Sequence, residues 1–262
     1  MGWIDTWRKK HGSGENQLIS ELPIEARRDL VEGIAKDLVG NGDVNSLWVL
    51  VDSAERAGED AVAEKWLKKI AGLNDPDALL RLGLLYSGRG DVRQSIKWFL
   101  KSAATGDRNA MYNLGNQYAN SGERGEAMRW YTKAAEAGDV DAMTIITGEY
   151  LQIGKPEDAL LWASKAVQAG SEDALAMRGV LTLALAGDAD SAVSLGEQMR
   201  LTKNEEQAAY WYRKAADAGH TDAALVLGGI IGIHAFLEWL GEATKVGNPA
   251  ASAVLRQLRE GN

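Results

Sequence analysis

The sequence contains no cysteine among its 262 residues. Disulfide bonds, a thiol nucleophile and a thiolate metal site are therefore excluded, and the redox compartment is left undefined. Basic residues are also in deficit, because 29 lysines and arginines face 37 aspartates and glutamates and give a formal net charge of -8. A nucleic-acid-binding surface needs a basic stripe, and the sequence shows none, so we expect no nucleic-acid partner.

Long apolar runs are absent as well. The most apolar segment, residues 224–240, contains three glycines, a histidine and a glutamate, and it is shorter than the roughly 20 residues that span a bilayer. Residues 1–14 have no apolar core before a cleavage site, and their charges follow their apolar residues, the reverse of a secretory signal. Trp3 and Trp7 stand beside the basic residues 8–10, a weak membrane signal for which a docked or frayed terminus is the preferred interpretation. We therefore expect a cytoplasmic protein without a membrane partner.

A short repeat organises the chain. Four residue types recur at one constant interval, the step from Trp66 to Trp98, which we call the period: Trp66, Trp98, Trp130 and Trp162; Ala78, Ala110, Ala142 and Ala174; Tyr86, Tyr118 and Tyr150; and Gly106, Gly138 and Gly170. A period between about 20 and 50 residues is typical of a solenoid. Within each copy, two apolar patterns with helical spacing end at glycine turns, so each copy is predicted to be a pair of antiparallel helices.

The ends of these helices carry residues that start and stop helices. Gly106 is predicted to adopt the left-handed conformation that closes a helix, and Asp107 to cap the next one. Four aspartates are assigned to first helical turns, where they favour the helix dipole: Asp77, Asp141, Asp173 and Asp222. Four mid-helix glycines are predicted to let a neighbouring helix approach closely: Gly83, Gly115, Gly179 and Gly228.

The array is predicted to be one helical-repeat domain, residues 23–262, after an N-terminal segment, residues 1–22, that is flexible or docked. Its copies are degenerate over 23–75, regular over 76–170, extended by an insertion over 171–219 and shortened over 220–247, with a capping helix at 248–262. The insertion follows from the step between Trp162 and Trp211, which exceeds the period by about half its length and places extra chain near 188–204. That segment is either a functional insertion or a tolerated surface loop.

Two segments resemble a known family. Residues 133–143, KAAEAGDVDAM, and residues 208–228, AAYWYRKAADAGHTDAALVLG, resemble Sel1-like repeats, which are relatives of the tetratricopeptide repeat (TPR). The resemblance covers roughly residues 46–250. It implies an all-α fold, a right-handed α/α superhelical solenoid of antiparallel helix pairs, that acts as a protein-interaction scaffold without chemistry of its own. We therefore expect no enzymatic activity and no cofactor.

Residue types that carry chemistry are sparse. The three histidines, His11, His220 and His234, share no ligand spacing with one another or with carboxylate pairs, so no metal site is expected. His220 occupies the capping position that Asp107 and Asp139 occupy in other copies. His234 is predicted to be packed or hydrogen-bonded among apolar neighbours. The repeat tryptophans are assigned to the core between helices rather than to ligand stacking.

Four asparagines within residues 108–122 stand out, because asparagine is a poor helix former. They fall within about 60° on one helix face. If first helices line a concave face, as the resemblance implies, the partner-binding groove is formed by Leu80, Leu84, Tyr112, Asn113, Asn116, Asn120, Thr144 and Gln152. Asparagine has donor and acceptor groups that can pair with the backbone of an extended peptide. A solvated face with no partner is the alternative, and the sequence leaves it open.

The sequence thus predicts a non-enzymatic scaffold or adaptor that binds a peptide or protein on the concave face of the array. The alternative is a dedicated inhibitor or immunity-type protein that blocks a cognate toxin or enzyme, since an acidic surface suits a basic target. An enzyme ranks third, because no nucleophile, base and orienting group occur at a meaningful spacing. The partner, the pathway and the oligomeric state are left undefined.

Overall fold

The computed structural model describes Gly33 and residues 44 to 260, except for the side chain of Ser46. The predicted N-terminal segment 1–22, and the degenerate copies up to residue 43 apart from Gly33, lie outside the described residues. The chain divides into two compact units, Met1–Glu123 and Arg124–Asn262. Between residues 44 and 260 every regular element is an α-helix, which confirms the predicted all-α repeat architecture.

The first unit contains five described helices that pack in chain order, each against the next. They are α1 (Val44–Arg56), α2 (Asp60–Ala71), α3 (Pro76–Gly88), α4 (Val92–Ala103) and α5 (Arg108–Asn120). The core of this unit is built between α1, α2 and α3 from side chains that include Val51, Trp66, Ile70, Leu79 and Leu82. Helices α1 and α2 form one pair, and α3 and α4 form the next.

The second unit contains nine described helices that also pack in chain order. They are α6 (Arg124–Glu136), α7 (Val140–Gln152), α8 (Pro156–Gln168), α9 (Glu172–Leu185), α10 (Ala189–Leu201), α11 (Glu205–Asp217), α12 (Thr221–Ile231), α13 (Ile233–Lys245) and α14 (Pro249–Glu260). One hydrophobic core extends from α7 to α14 and includes Leu151, Leu181, Leu195, Trp211, Trp239 and Val254.

Side chains fix the starts of most helices. Gly106 has a φ of +92°, and the Asp107 carboxylate accepts a hydrogen bond from the backbone N–H of Asn109 at 2.9 Å, so both predictions for this turn are confirmed. The same capping bond is made before six other helices by Asp75, Asp91, Asp139, Ser171, Asp188 and Asn204. Helix boundaries are therefore set locally, at equivalent places in successive copies.

The two described histidines have different surroundings. His220 Nδ1 accepts a hydrogen bond from the backbone N–H of Ala223 at 3.1 Å, which confirms its predicted capping role. His234 is exposed in the first turn of α13, so its predicted packing among apolar neighbours is wrong. The reason is that α13 turns Phe236 and Trp239 towards the core and leaves His234 on the outer side.

The repeat tryptophans contribute to the core, as predicted. Trp66 and Trp162 are buried, and Trp98 and Trp130 are half-buried. A lysine three positions later lies over each of these four rings, at 3.9 to 5.1 Å from the ring centroid. The lysine stems thus cover the side of each ring that the helix pair does not enclose, with a favourable contact between cation and ring.

Glycines in first helices make room for aromatic rings from second helices. The pairs are Gly83 with Phe99, Gly196 with Tyr212 and Gly228 with Phe236. A Cβ at Gly83 would lie 2.3 Å from Phe99 Cδ1, so only glycine fits there. The predicted close approach is confirmed for Gly83 and Gly228. It is wrong for Gly179, because nothing lies within 4 Å of the position its Cβ would take.

The segment 188–204 is a helix with its flanking turns, not a surface loop. It contains α10, which packs against α11 with Gly196 under Tyr212, as α3 packs against α4 with Gly83 under Phe99. Helices α10 and α11 are therefore a complete pair. The extra chain in this copy corresponds to 172–188, which holds α9 and its turn. Helix α9 is thus a first helix with no second helix after it.

Hydrogen bonds join the parts of the second unit that precede and follow α9. Gln152, the last residue of α7, donates through Nε2 to the Thr202 hydroxyl at 2.8 Å. Asn204 Nδ2 donates to the backbone carbonyl of Gln152 at 2.8 Å and to its side-chain oxygen at 2.9 Å. The end of α7 is therefore joined to the turn between α10 and α11, and none of these three bonds involves α9.

Candidate functional site

The first helices of the first unit share a surface that we call the first-helix face. It consists of side chains on α1, α3 and α5 that occupy equivalent positions, one period apart. The three rows are Trp48, Leu80 and Tyr112; Val49, Arg81 and Asn113; and Asp52, Leu84 and Asn116. All nine side chains are half-buried or exposed. The face therefore combines aromatic, aliphatic, charged and amide groups.

Arg81 is the centre of this face. Its Nη1 donates to Asp52 Oδ1 at 2.9 Å and to Glu55 Oε2 at 3.1 Å. Its guanidinium carbon lies 4.8 Å from the centroid of the Trp48 ring. The guanidinium group is thus held in one place by two carboxylates and a ring from α1. These hydrogen bonds use Nη1 alone, and the donors on Nε and Nη2 are not part of them.

An open depression of about 450 Å³ adjoins Arg81 and is lined by Asp52, Glu55, Arg56 and Arg81. Arg56 is itself held in place, because its Nε donates to the backbone carbonyl of Asp52 at 3.0 Å. Two carboxylates and two guanidinium groups therefore border one depression. Such a set can recognise charged or strongly polar groups by ion pairing, and it contains no nucleophile paired with a base.

The four asparagines of α5 are placed differently. Asn113 Nδ2 donates to the backbone carbonyl of Asn109 at 2.8 Å, a bond within its own helix. One amide hydrogen and the side-chain oxygen of Asn113 are not used by that bond. Asn116 is half-buried in the middle of the helix, and Asn120 is exposed at its last residue. Asn113 and Asn116 are thus the two mid-helix asparagines that helix ends do not explain.

The predicted groove divides between the two compact units. Leu80, Leu84, Tyr112, Asn113, Asn116 and Asn120 lie in the first unit, whereas Thr144 and Gln152 lie in the second. The Thr144 hydroxyl donates to the backbone carbonyl of Val140 at 3.1 Å and is exposed. The side chain of Gln152 is bonded to Thr202 and Asn204. Gln152 therefore has a structural role in the second unit.

Sequence reasoning missed Trp48, Asp52 and Arg81. Trp48 and Asp52 lie one period before Leu80 and Leu84, so an extension of the period into the degenerate copy would have found them. Arg81 is adjacent to Leu80, but its importance depends on contacts with α1 that spacing does not reveal. Two of the missed residues, Asp52 and Arg81, form the charged part of the face.

A separate polar cluster joins α2 to α3. The Glu64 carboxylate accepts hydrogen bonds from Lys68, from the Tyr86 hydroxyl at 2.6 Å and from Arg89. These three donors lower the pKa of Glu64 from 4.5 to about 2, with Lys68 the largest cause. The carboxylate is therefore ionised throughout the physiological range, and its role is to tie the two helices together.

The described part of the chain offers neither a metal site nor a membrane-spanning helix. In residues 44 to 260, no three side chains of the ligand types histidine, aspartate and glutamate are grouped closely enough to hold a metal ion. No helix in that same range is both long and apolar enough to cross a membrane.

Three segments of the chain, residues 76–107, 108–139 and 189–220, match the Sel1 repeat family. The chain therefore contains Sel1 repeats, and the resemblance inferred from the sequence is confirmed. Repeats of this class commonly mediate protein–protein interaction and are generally not enzymes. The third match begins at the first residue of α10, in agreement with the pairing of α10 and α11.

No curated protein sequence matches the chain. Among solved structures, c5321, a protective antigen of uropathogenic Escherichia coli with an SLR fold, is 24% identical with a TM-score of 0.47. The match covers 89% of this chain and 59% of that one, so this chain spans well under two thirds of the antigen. A Sel1 repeat protein from Oxalobacter formigenes is 24% identical over 84% of this chain and 89% of that one, with a TM-score of 0.43. YrrB, a TPR protein with an unusual peptide-binding site, is 18% identical over 75% of this chain and 98% of that one, with a TM-score of 0.44. None of these findings supports the alternative of a dedicated inhibitor.

Proposed function

We propose that the protein is a non-enzymatic scaffold that binds an extended peptide segment of a partner protein on the first-helix face. The observation that carries this proposal is the Arg81 cluster, in which a guanidinium group is held by Asp52, Glu55 and Trp48 beside an open depression. Arginine and aromatic side chains are enriched in the residues that dominate binding energy at protein interfaces.

The face offers fixed polar groups next to exposed apolar surface. Because Arg81 is already held by its ion pairs, little side-chain entropy is lost when it binds a partner. Its Nε and Nη2 donors suit a carboxylate or a backbone carbonyl of the peptide. Leu84 is 46% exposed, and together with Leu80 and Tyr112 it supplies apolar surface for alternate side chains of an extended chain.

The asparagines supply contacts that do not depend on the peptide sequence. The second amide hydrogen and the side-chain oxygen of Asn113 can pair with a peptide carbonyl and N–H. Asn116 and Asn120 follow along the same helix at spacings that place them on the same side. In this proposal α5 binds the backbone of the partner, and α1 and α3 select its side chains.

The test is affinity capture from a lysate of the parent organism, quantified by mass spectrometry. The baits are the wild-type chain, the double variant Asn113→Ala with Asn116→Ala, and Leu84→Glu. The matched control is Gln168→Ala with Gln198→Ala, which removes two exposed amides from the second unit. Circular dichroism checks that each variant is folded, and we expect unfolding costs below about 1 kcal/mol at these sites.

We expect a stoichiometric partner that the wild-type chain and the glutamine control retain and that both face variants lose. Recovery of the same partner in equal amounts by the asparagine variant and by Leu84→Glu would refute binding on this face. The asparagines of α5 would then be plain solvated surface.

A further inference from the structure

Helix α9 leaves an apolar stripe uncovered. The α9 stripe consists of Leu175, Gly179, Thr182, Leu183 and Ala186, which fall within about 100° of the helix circumference. Leu175 is 50% exposed and Leu183 is 53% exposed, and Glu172, the first residue of the helix, is the charged residue on the same side. Single exposed leucines are common, but two on one side of a helix form a patch.

The equivalent side of the first helices α7 and α3 is covered. Met143, Thr147 and Leu151 of α7 lie one period before Leu175, Gly179 and Leu183, and all three are buried. In α3 the position equivalent to Thr147 is Gly83, which lies under Phe99 of the second helix α4. The α9 stripe is therefore the side that a first helix presents to its second helix. Helix α9 has no second helix of its own.

The aromatic position of the stripe is vacant. Gly83 and Gly196 each lie under a ring from the second helix, whereas nothing lies within 4 Å of a Cβ built on Gly179. Helix α9 turns a different side inward, where Leu181 and Ala184 are buried. The hydrogen bond that Gln152 donates to Thr202 and the one that it accepts from Asn204 join α7 to the turn before α11 without α9. Packing within the second unit thus leaves the stripe and its glycine unused.

The segment of sequence that contains the stripe is acidic. Between residues 169 and 199 the only basic side chain is Arg178. The same segment carries five carboxylates, Glu172 and Asp173 before the stripe and Asp188, Asp190 and Glu197 after it. Charge complementarity therefore favours a basic partner for this side of α9.

We propose that the α9 stripe binds a basic amphipathic helix of a partner protein, with one aromatic side chain seated over Gly179. That helix would pack against α9 in the way that α4 packs against α3. Helix α4 has the required chemistry, since Phe99 covers Gly83 and the helix carries Arg93, Lys97 and Lys101. This role rests on the proposed scaffold function and gives the scaffold a second binding surface, distinct from the first-helix face.

The probe is a fluorescent peptide that copies residues 92–103 and is held helical by a side-chain lactam, because a free helix of this length is marginal in water. Binding to the full chain is measured by fluorescence anisotropy. We expect saturable binding that weakens about tenfold or more when the peptide carries Phe99→Ala or the chain carries Gly179→Leu. The matched control, Gly241→Leu, fills another open helical glycine and should bind like the wild type.

The two proposals fail separately. The Asn113→Ala, Asn116→Ala double variant should bind the peptide normally, since its substitutions are in the first unit, and Gly179→Leu should retain the partner of the first-helix face. Absence of saturable binding, or equal binding by the wild-type chain and Gly179→Leu, would overturn the assignment of the stripe. Self-association of the chain that Gly179→Leu abolishes, measured by sedimentation, would also overturn it, because the occupant would then be a second copy.

Discussion

Asn248 holds α14, the last of the described helices, in place with a single buried side chain. Its Oδ1 accepts a hydrogen bond from the backbone N–H of Ala251 at 3.0 Å and so caps α14. Its Nδ2 donates to the backbone carbonyls of Ala216 and Asp217 at the end of α11, each at 3.0 Å. We predict that Asn248→Ala destabilises the second unit and that Asn248→Asp separates the two functions of the side chain.

The structure sets the size of both effects. Asn248→Ala removes a helix cap, which costs about 1 kcal/mol, and two hydrogen bonds to carbonyls, which contribute about 0.5 to 1.5 kcal/mol each. The expected loss of unfolding free energy is therefore about 2 to 4 kcal/mol. Asn248→Asp keeps the oxygen that caps α14 but places a carboxylate oxygen against the two carbonyls, so at neutral pH we expect a loss of about 1 to 3 kcal/mol.

Urea unfolding, followed by circular dichroism and by tryptophan fluorescence, measures these losses. Trp239 is a local reporter, because its Nε1 donates to the Asp217 carboxylate at 2.9 Å. The control is Ser252→Ala, which removes an exposed hydroxyl that donates to the backbone carbonyl of Asn248 and should change stability by less than about 0.5 kcal/mol. An Asn248→Ala variant as stable as this control, or an Asn248→Asp variant as stable as the wild type, would refute the reasoning.

Three further predictions concern the repeats. His220→Ala should cost about 1 kcal/mol of unfolding free energy through loss of the cap, and His220→Asp should restore it; equal urea midpoints for the two variants would contradict this. Gly83→Ala should cost about 2 kcal/mol, because its Cβ would lie 2.3 Å from the Phe99 ring, whereas Gly179→Ala should stabilise by about 0.5 to 1 kcal/mol; thermal unfolding that ranks them in the opposite order would refute the packing account. The lowered pKa of Glu64 stabilises the fold fully above pH 4.5, and this contribution is lost as the pH falls towards about 2. The shift sets a ceiling of about 3 kcal/mol, which the exposure of the lysine and arginine partners reduces to about 1 to 2 kcal/mol, and Glu64→Gln should abolish that part of the pH dependence in urea titrations from pH 4.5 to 2. Identical dependence of the unfolding free energy on pH in Glu64→Gln and the wild type would contradict this role of Glu64.

The repeat could be predicted from the sequence because its determinants are local. Most turns carry their own glycine or capping residue, so a helix boundary such as that at Gly106 and Asp107 depends on no distant contact. Which first helix lacks a second helix could not be predicted in this way. Both α9 and α10 fit the pattern of a first helix, and only the contact between Gly196 and Tyr212 shows which of them is paired.

The candidate site also contains some residues that the repeat spacing predicts and others that depend on distant contacts. Leu80, Leu84 and the asparagines follow from the period, because equivalent positions share a helix face. The position of Arg81 between Asp52 and Trp48 depends on how α1 and α3 approach each other, which spacing alone does not give. The repeat position of Gln152 predicts that it lies in the groove. Its hydrogen-bond partner Asn204, however, is far away in the chain, beyond three intervening helices.

The hydrogen bonds of Gln152 with Thr202 and Asn204 have a consequence for engineering. Because they join the end of α7 directly to the turn before α11, the copies on either side of α9 have one connection that does not pass through residues 172 to 188. That segment is a single helix between two turns with their own capping residues, Ser171 and Asp188, so its boundaries are set locally. A replacement helix must reproduce the core contacts of Ala174, Leu181 and Ala184, and its outward side is the place for a foreign recognition element.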